Sequence, residues 1–127
     1  MEYPVLVIML ALLQYLYFCF RTGFLRPKYG VHPPKTVGNE TWERIFRIQQ
    51  NTMEQLVVFI PGMIGFSQYV SSVWAAVLGI FFIIFRQVYS MSYMKEPKKR
   101  IFPPTFLVNV ALVIGTAIGI ILHLVRS

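Results

Sequence analysis

Long apolar stretches, separated by basic segments that contain proline, restrict what this sequence can fold into. Hydrophobic residues make up 56% of the 127-residue chain, and 13% of its residues are charged. A helix that crosses a membrane needs roughly 20 predominantly apolar residues, and the chain has room for about four such helices with short connections. The sequence therefore predicts an all-α integral membrane protein, a bundle of four transmembrane helices that forms one domain over residues 1–127.

The predicted helices are bounded by turn-forming residues. Their expected bounds are about residues 3–25, 41–66, 70–95 and 105–125. Asn39 or Thr41 can cap the second helix, Pro61 is expected to kink it, and a short link is expected near residues 65–68. The single cysteine, Cys19, lies in the first apolar segment and excludes an internal disulfide.

The second apolar segment opens with a polar stretch, ERIFRIQQNTMEQ, at residues 43–55. At helical pitch its polar side chains include four that fall within about 80° of one another: Glu43, Arg47, Asn51 and Glu54. A charged side chain at the centre of a membrane helix costs roughly 2.5–3.5 kcal/mol. These side chains are therefore expected to point away from lipid, into a bundle or a wet cleft, and to form a binding site.

The third apolar segment carries a second polar group near its end. Arg86, Tyr89 and Tyr93 are spaced i, i+3 and i+7, so they share one helix face. Two interpretations are open at this point. The group is either a further part of the same site or a snorkelling arginine with interfacial tyrosines, as in an ordinary aromatic belt.

The positive charges predict the orientation of the helices. All Lys and Arg residues except Arg126 lie in the two long loops or at the adjoining helix ends. Because positively charged loops stay in the cytoplasm, both loops and the polar end of the second helix are expected there, with both termini on the opposite side. The membrane is expected to be a bacterial inner membrane or the endoplasmic reticulum.

The polar groups at this end of the bundle suit a small anionic ligand that also carries an amine. Arg26, Arg47, Arg86 and Arg100 supply positive charge, and Glu54 is a partner for the amine. A tripeptide with two carboxylates fits this set, with an apolar second substrate entering from the lipid. The sequence has no carboxylate pair, Ser-His-Asp set or metal-ligand spacing, so no metal is expected. Its basic residues are explained by orientation and an anionic ligand rather than by nucleic acid.

Four sequence blocks resemble the MAPEG family, the membrane-associated proteins of eicosanoid and glutathione metabolism. Within that family the resemblance is closest to the microsomal glutathione transferases and leukotriene C synthase. The matching blocks, which keep their order and spacing, are RPKYGVHPPKTVG at 26–38, ERIFRIQQNTMEQ at 43–55, FRQVYSMSY at 85–93 and KKR at 98–100. With the four apolar segments, the resemblance extends over essentially the whole chain.

The resemblance implies a homotrimer of four-helix subunits with a glutathione site at each subunit interface. It assigns glutathione binding to Arg26, Arg47, Gln49, Asn51, Glu54, Arg86, Tyr89 and Tyr93. It assigns to Arg100 the catalytic role of stabilising the glutathione thiolate. This role makes physical sense because the thiolate is the nucleophile, and a free thiol with a pKa of about 8.5 is mostly protonated at neutral pH.

The implied activity is a membrane-bound glutathione transferase that acts in detoxification, with glutathione as co-substrate and a lipophilic electrophile as second substrate. Glutathione peroxidase activity on lipid hydroperoxides is an additional expectation. Alternatives are a glutathione-dependent isomerase like prostaglandin E synthase, a non-catalytic lipid-binding scaffold of the same family, and a channel or small transporter. Gln55, where leukotriene C synthase has a tyrosine, and Pro27, where close relatives have an arginine, weaken any expectation of leukotriene specificity.

Overall fold

A computed structural model of the chain describes residues 2–95 and 104–126. The described residues form four long helices and one short helix. These are α1 (Glu2–Phe24), α2 (Arg26–Tyr29), α3 (Glu40–Tyr69), α4 (Ser72–Lys95) and α5 (Pro104–Arg126). The all-helical prediction is confirmed. The short helix α2 falls in the predicted first loop, where Pro27 stands in its first turn and suits that position because proline lacks an N–H.

The predicted link near residues 65–68 is wrong, because this stretch is the last part of α3. Gly65 does not break the helix, since its bare backbone packs against Thr116 of α5; a Cβ at this glycine would lie 2.6 Å from Thr116 Cγ2. The Ser67 hydroxyl donates to the Met63 carbonyl at 2.6 Å, within the helix. The chain turns instead at Val70 and Ser71, between α3 and α4.

The start of α3 is fixed by a cap and by a buried tryptophan. The Asn39 side chain accepts a hydrogen bond from the Trp42 backbone N–H at 3.0 Å, so Asn39 rather than Thr41 caps the helix. The Trp42 ring is 0% exposed, and its Nε1 donates to the Thr22 carbonyl near the end of α1 at 3.0 Å. These contacts set the depth at which the polar half of α3 lies against α1.

α3 is the central helix, and it packs against α1, α4 and α5. In the core, the rings of Phe59 from α3 and Phe82 from α4 stack with their centroids 4.0 Å apart. Many large apolar side chains on the outer faces of α1, α4 and α5 are exposed. An outer surface of this kind suits contact with lipid tails rather than water.

Three of the helices are long and apolar enough to cross a membrane. They are Glu2–Phe24, Ser72–Met94 and Thr105–Arg126. α3 is longer than any of these but carries charged residues throughout its first half. That α3 is the fourth spanning helix therefore stays a prediction, which requires its charged face to be covered.

Two glycines of α5, Gly115 and Gly119, allow this helix to approach the end of α3 closely. A Cβ at Gly115 would lie 2.6 Å from the Phe66 ring, and one at Gly119 would lie 2.7 Å from the Tyr69 carbonyl oxygen. The second contact is the more restrictive, because a backbone carbonyl in a helix cannot rotate away as a side chain can.

We expect Gly119→Ala to destabilise the bundle by about 1–2 kcal/mol, because a clash of about 1–3 kcal/mol outweighs the helix propensity gained. Gly23→Ala is the matched control, since nothing lies within 4 Å of a Cβ at Gly23. That control should be neutral or slightly stabilising. Thermal unfolding of both variants in detergent micelles measures the difference, and equal midpoints for the two would contradict the assigned packing.

Candidate functional site

Arg86 connects three helices at the polar end of the bundle. Its side chain is 0% exposed. Its Nη2 donates to Asn51 Oδ1 on α3 at 2.8 Å, and its Nη1 donates to Thr105 Oγ1 on α5 at 3.1 Å. The guanidinium also lies over the Tyr89 ring, 4.4 Å from the centroid. Complete burial does not fit a snorkelling arginine, whose charged head would lie in water.

Two tyrosines lie beside Arg86, within electrostatic reach of two charged residues of α3. The rings of Tyr89 and Tyr93 stack with centroids 5.6 Å apart. Electrostatic interactions connect Tyr89 to Arg47 and Glu54 on α3, as well as to Arg86. The structure therefore brings together the predicted groups of α3 and α4: Arg47, Asn51, Glu54, Arg86, Tyr89 and Tyr93.

The charged face of α3 is open in the single chain. Arg47 and Glu54 are both exposed, and within residues 2–95 and 104–126 neither forms a salt bridge. They are seven residues apart, which is about 10 Å along a helix. A guanidinium and a carboxylate at this separation can bind a carboxylate and an amine of one short peptide. Asn51, between them, is held in place by Arg86.

Arg26 lies at a distance from this group. Its guanidinium stacks over the Trp42 ring, 4.5 Å from the centroid, and its Nη1 donates to the Lys35 carbonyl at 2.8 Å. Trp42 precedes Asn51 by nine residues, which is roughly 14 Å along α3. Within one chain, Arg26 thus organises the α2–α3 loop and is not brought to Asn51.

Gln49 also lies apart from the others. It is two residues before Asn51, so the two side chains point about 160° apart around α3. Gln49 lies on the side of α3 that faces α1, where it interacts with the Tyr15 side chain. Tyr15 also interacts with Cys19. A single chain therefore does not bring Gln49 to the face that carries Arg47 and Glu54.

Arg100, the predicted catalytic residue, lies outside the described residues, between α4 and α5. Its assigned role stays a prediction. Lys98 and Lys99 lie in the same segment.

Two residues of α5 belong to this region although the sequence assigned them no role in the site. Thr105 accepts from Arg86, and Asn109, one turn further on, donates to the Gln55 side chain of α3 at 2.8 Å. The sequence feature that could have identified them is their polar side chains in an otherwise apolar helix. Polar residues within membrane segments often mark pathways and sites.

Comparison with known proteins identifies the family of the chain. Residues 4–122 match the model of the MAPEG family. An uncharacterised protein of Synechocystis sp. is 39% identical over 96% of this chain and 90% of its own length. The human microsomal glutathione S-transferase 2 is 38% identical over 75% of this chain. The rat leukotriene C4 synthase is 28% identical over 92% of this chain and 79% of its own length.

The match to the human transferase spans 65% of that protein's length. The family match, in contrast, spans nearly all of this chain, including α3, α4 and α5 with the polar groups described above. The chain is therefore an integral membrane protein that belongs to the MAPEG family.

Proposed function

We propose that the protein is a membrane-bound glutathione transferase that conjugates the glutathione thiolate to lipophilic electrophiles. The observation that carries the proposal is the open face of α3, where exposed Arg47 and Glu54 flank Asn51, which buried Arg86 holds in place. The relatives named as a glutathione S-transferase and a leukotriene C4 synthase support the same ligand.

Glutathione has the functional groups that this face suits. Its γ-glutamyl end carries an amine and a carboxylate, and its glycyl end carries a second carboxylate. In the proposed pose, Glu54 accepts from the amine, and Arg47 binds a carboxylate. Tyr89 and Tyr93 supply hydroxyl groups at the α4 side of the site. Arg100 acts on the sulfur, where a fixed positive charge favours the thiolate over the thiol.

The homotrimer is part of this proposal. Gln49 points away from the open face. Arg26 stacks over Trp42, which lies about 14 Å along α3 from Asn51, so one chain alone does not gather all the assigned residues. A neighbouring copy, packed on the open face, would bring its own Gln49 and Arg26 toward the ligand. It would also cover the charges of Arg47 and Glu54, which otherwise face lipid at high cost.

We also propose an orientation of the protein in the membrane. The site lies at the cytoplasmic side, with both termini opposite, as the distribution of Lys and Arg predicts.

A peroxidase reaction is also part of the proposal. The glutathione thiolate would attack the O–O bond of a lipid hydroperoxide. Two glutathione molecules and one hydroperoxide then give glutathione disulfide, the lipid alcohol and water.

Glu54→Gln tests the proposed pose. We expect the Kd for glutathione to rise about tenfold, since a charge-assisted hydrogen bond of about 1.5 kcal/mol or more is lost. The measurement is calorimetric titration of detergent-solubilised protein, followed by conjugation of 1-chloro-2,4-dinitrobenzene.

Glu40→Gln is the matched control for this substitution. Glu40 is an exposed carboxylate at the start of the same helix and pairs with Arg44 at 2.7 Å. The Glu40→Gln substitution should leave the Kd for glutathione within about twofold of the wild-type value, because an exposed ion pair contributes little. No glutathione binding by the wild-type protein would overturn the transferase proposal and favour a lipid-binding scaffold.

A further inference from the structure

The contact between α1 and α4 carries polar side chains on two otherwise apolar helices. Gln14 Nε2 donates to the Ile83 carbonyl at 3.0 Å. Two turns further along α1, Arg21 Nη2 donates to Ser90 Oγ at 3.2 Å. Gln87 lies between these two levels on α4. We call the outer edge of this contact the α1–α4 seam, and its polar groups indicate a site because such groups are costly in membrane segments.

Arg21 is a half-buried cation without a counter-ion. Its guanidinium lies over the rings of Phe18 and Tyr17, 5.2 and 5.7 Å from their centroids. Together with the bond to buried Ser90, these rings hold the charged group in place. Within residues 2–95 and 104–126 no carboxylate pairs with it. An anion from outside the chain would therefore stabilise this charge.

One amino group of Arg21 is available to such an anion. Nη2 is bound to Ser90, and Nε is buried. Nη1 forms no hydrogen bond with the described residues and is not among their buried unpaired atoms, so it is accessible. A guanidinium N–H pairs well with a phosphate oxygen, because both groups are charged and weakly hydrated guanidinium is readily desolvated.

The Gln87 side chain supplies a second donor. The Gln14 atom that faces the Ile83 carbonyl must be the nitrogen, because a carbonyl only accepts. The same nitrogen donates to Gln87 Oε1 at 3.4 Å, so the oxygen of Gln87 is turned toward Gln14 and its Nε2 has no partner among the described residues. Gln87 is exposed and lies about 4.5 Å from the level of Ser90, toward the middle of α4.

The seam is apolar beyond these groups. Leu10 of α1 and Ile80 and Ile84 of α4 are exposed, and at helical pitch they lie within about 60° of Arg21 or Gln87 on their own helices. Leu10 lies roughly 16 Å from the level of Arg21, toward the middle of the bundle. A cation near the helix end, then an amide donor, then an apolar surface is the order that matches the phosphate, ester and acyl chain of a phospholipid.

We propose that the α1–α4 seam binds one phospholipid, with its phosphate on Arg21 Nη1 and a glycerol ester carbonyl on Gln87 Nε2. An acyl chain then runs along Leu10 and Ile80. Basic sites between membrane helices bind lipid headgroups by the same combination of charge and hydrogen bonding. The proposal does not depend on the transferase function, since neither Arg21 nor Gln87 is assigned to glutathione.

Native mass spectrometry of the detergent-solubilised protein tests the proposal. It counts bound molecules of dioleoylphosphatidylglycerol and gives their Kd. Dioleoylglycerol has the same chains without the phosphate, and glycerol phosphate has the phosphate without the chains. We expect one tightly bound phospholipid per chain and binding at least about tenfold weaker for each of the other two, the size of a charge-assisted hydrogen bond or more. Equally tight binding of either one would overturn the phospholipid as the occupant.

Arg21→Gln separates this site from general attraction of lipid to a basic protein. We expect it to raise the Kd for dioleoylphosphatidylglycerol about tenfold, because a charge-assisted hydrogen bond is lost. Lys28→Gln is the matched control, since Lys28 is an exposed cation at the same end of the bundle. It should stay within about twofold of wild type. Equal losses in the two variants would indicate diffuse attraction and overturn the site.

Gln87→Leu tests the second contact and does not depend on the folding of Arg21→Gln. Ester-linked and ether-linked phosphatidylglycerol are compared, because the ether lacks the carbonyl. Wild type should prefer the ester about fivefold, the size of one net hydrogen bond, and the variant should lose this preference. Partitioning of the two lipids into detergent cancels when the variant is compared with wild type. An unchanged preference would overturn the assignment of Gln87.

A photoreactive residue in place of Ile84, used in native membranes, identifies what covers the seam. We expect adducts with phospholipid. Chain-to-chain products instead would show that a second copy or another protein covers the seam, and would overturn the lipid site. Each of these outcomes is independent of whether the protein binds glutathione.

Discussion

Arg100→Ala should reduce the glutathione thiolate bound at pH 7 from roughly three quarters to about 3%. These fractions follow if Arg100 lowers the pKa of the glutathione thiol from about 8.5 to about 6.5, which corresponds to about 2.7 kcal/mol. Arginine suits this role because it stays charged when partly desolvated. Ultraviolet absorbance of the thiolate, followed on mixing protein with saturating glutathione, measures the effect, and the rate of conjugation should fall in parallel.

The difference in bound thiolate between Arg100→Ala and wild type should depend on pH. A lowered thiol pKa favours the thiolate only between the lowered and the ordinary values, so the difference between variant and wild type should disappear above about pH 9.5. Lys99→Ala is the control and should behave like the wild type. A thiolate signal in Arg100→Ala equal to that of wild type at pH 7 would assign the role to another cation.

Arg86→Leu should cause the largest loss of stability in the site. It leaves Asn51 Oδ1 and Thr105 Oγ1 without the donor that now lies 2.8 and 3.1 Å away. A buried group left unpaired costs about 1–3 kcal/mol. Thr105 is buried but Asn51 is half-buried and loses less, so the free energy of unfolding should fall by about 2–4 kcal/mol. Glutathione affinity should fall at least tenfold, because Asn51 is no longer held in place.

Two further variants show whether Arg86 acts through Asn51. Thr105→Val removes the bond to α5 and keeps the bond to Asn51, so stability should fall while glutathione affinity changes little. Gln87→Leu, on the exposed side of the same helix, should stay within about 0.5 kcal/mol of wild type. Equal losses of affinity in Arg86→Leu and Thr105→Val would indicate general loosening of the bundle instead.

Helical periodicity predicted which polar side chains lie together where those residues are on a single helix. Arg47, Asn51 and Glu54 share a face because they lie on one helix with a fixed pitch. Likewise, Arg86, Tyr89 and Tyr93 lie together on α4. Proline and apolar length were sufficient to locate four long helices. The link before α4 was misplaced because Gly65 serves to pack α3 against Thr116, a contact that no local pattern reveals.

A helical membrane protein with a polar face on α3 follows from the amino-acid sequence, since apolar length and helical pitch are local properties. Which side chains meet across helices does not follow from it, because the rotation and depth of each helix depend on packing against the others. Arg86 is buried between Asn51 and Thr105 for this reason, and Gln49 faces α1. The pairing of Asn109 with Gln55 likewise exists only once α5 lies against α3.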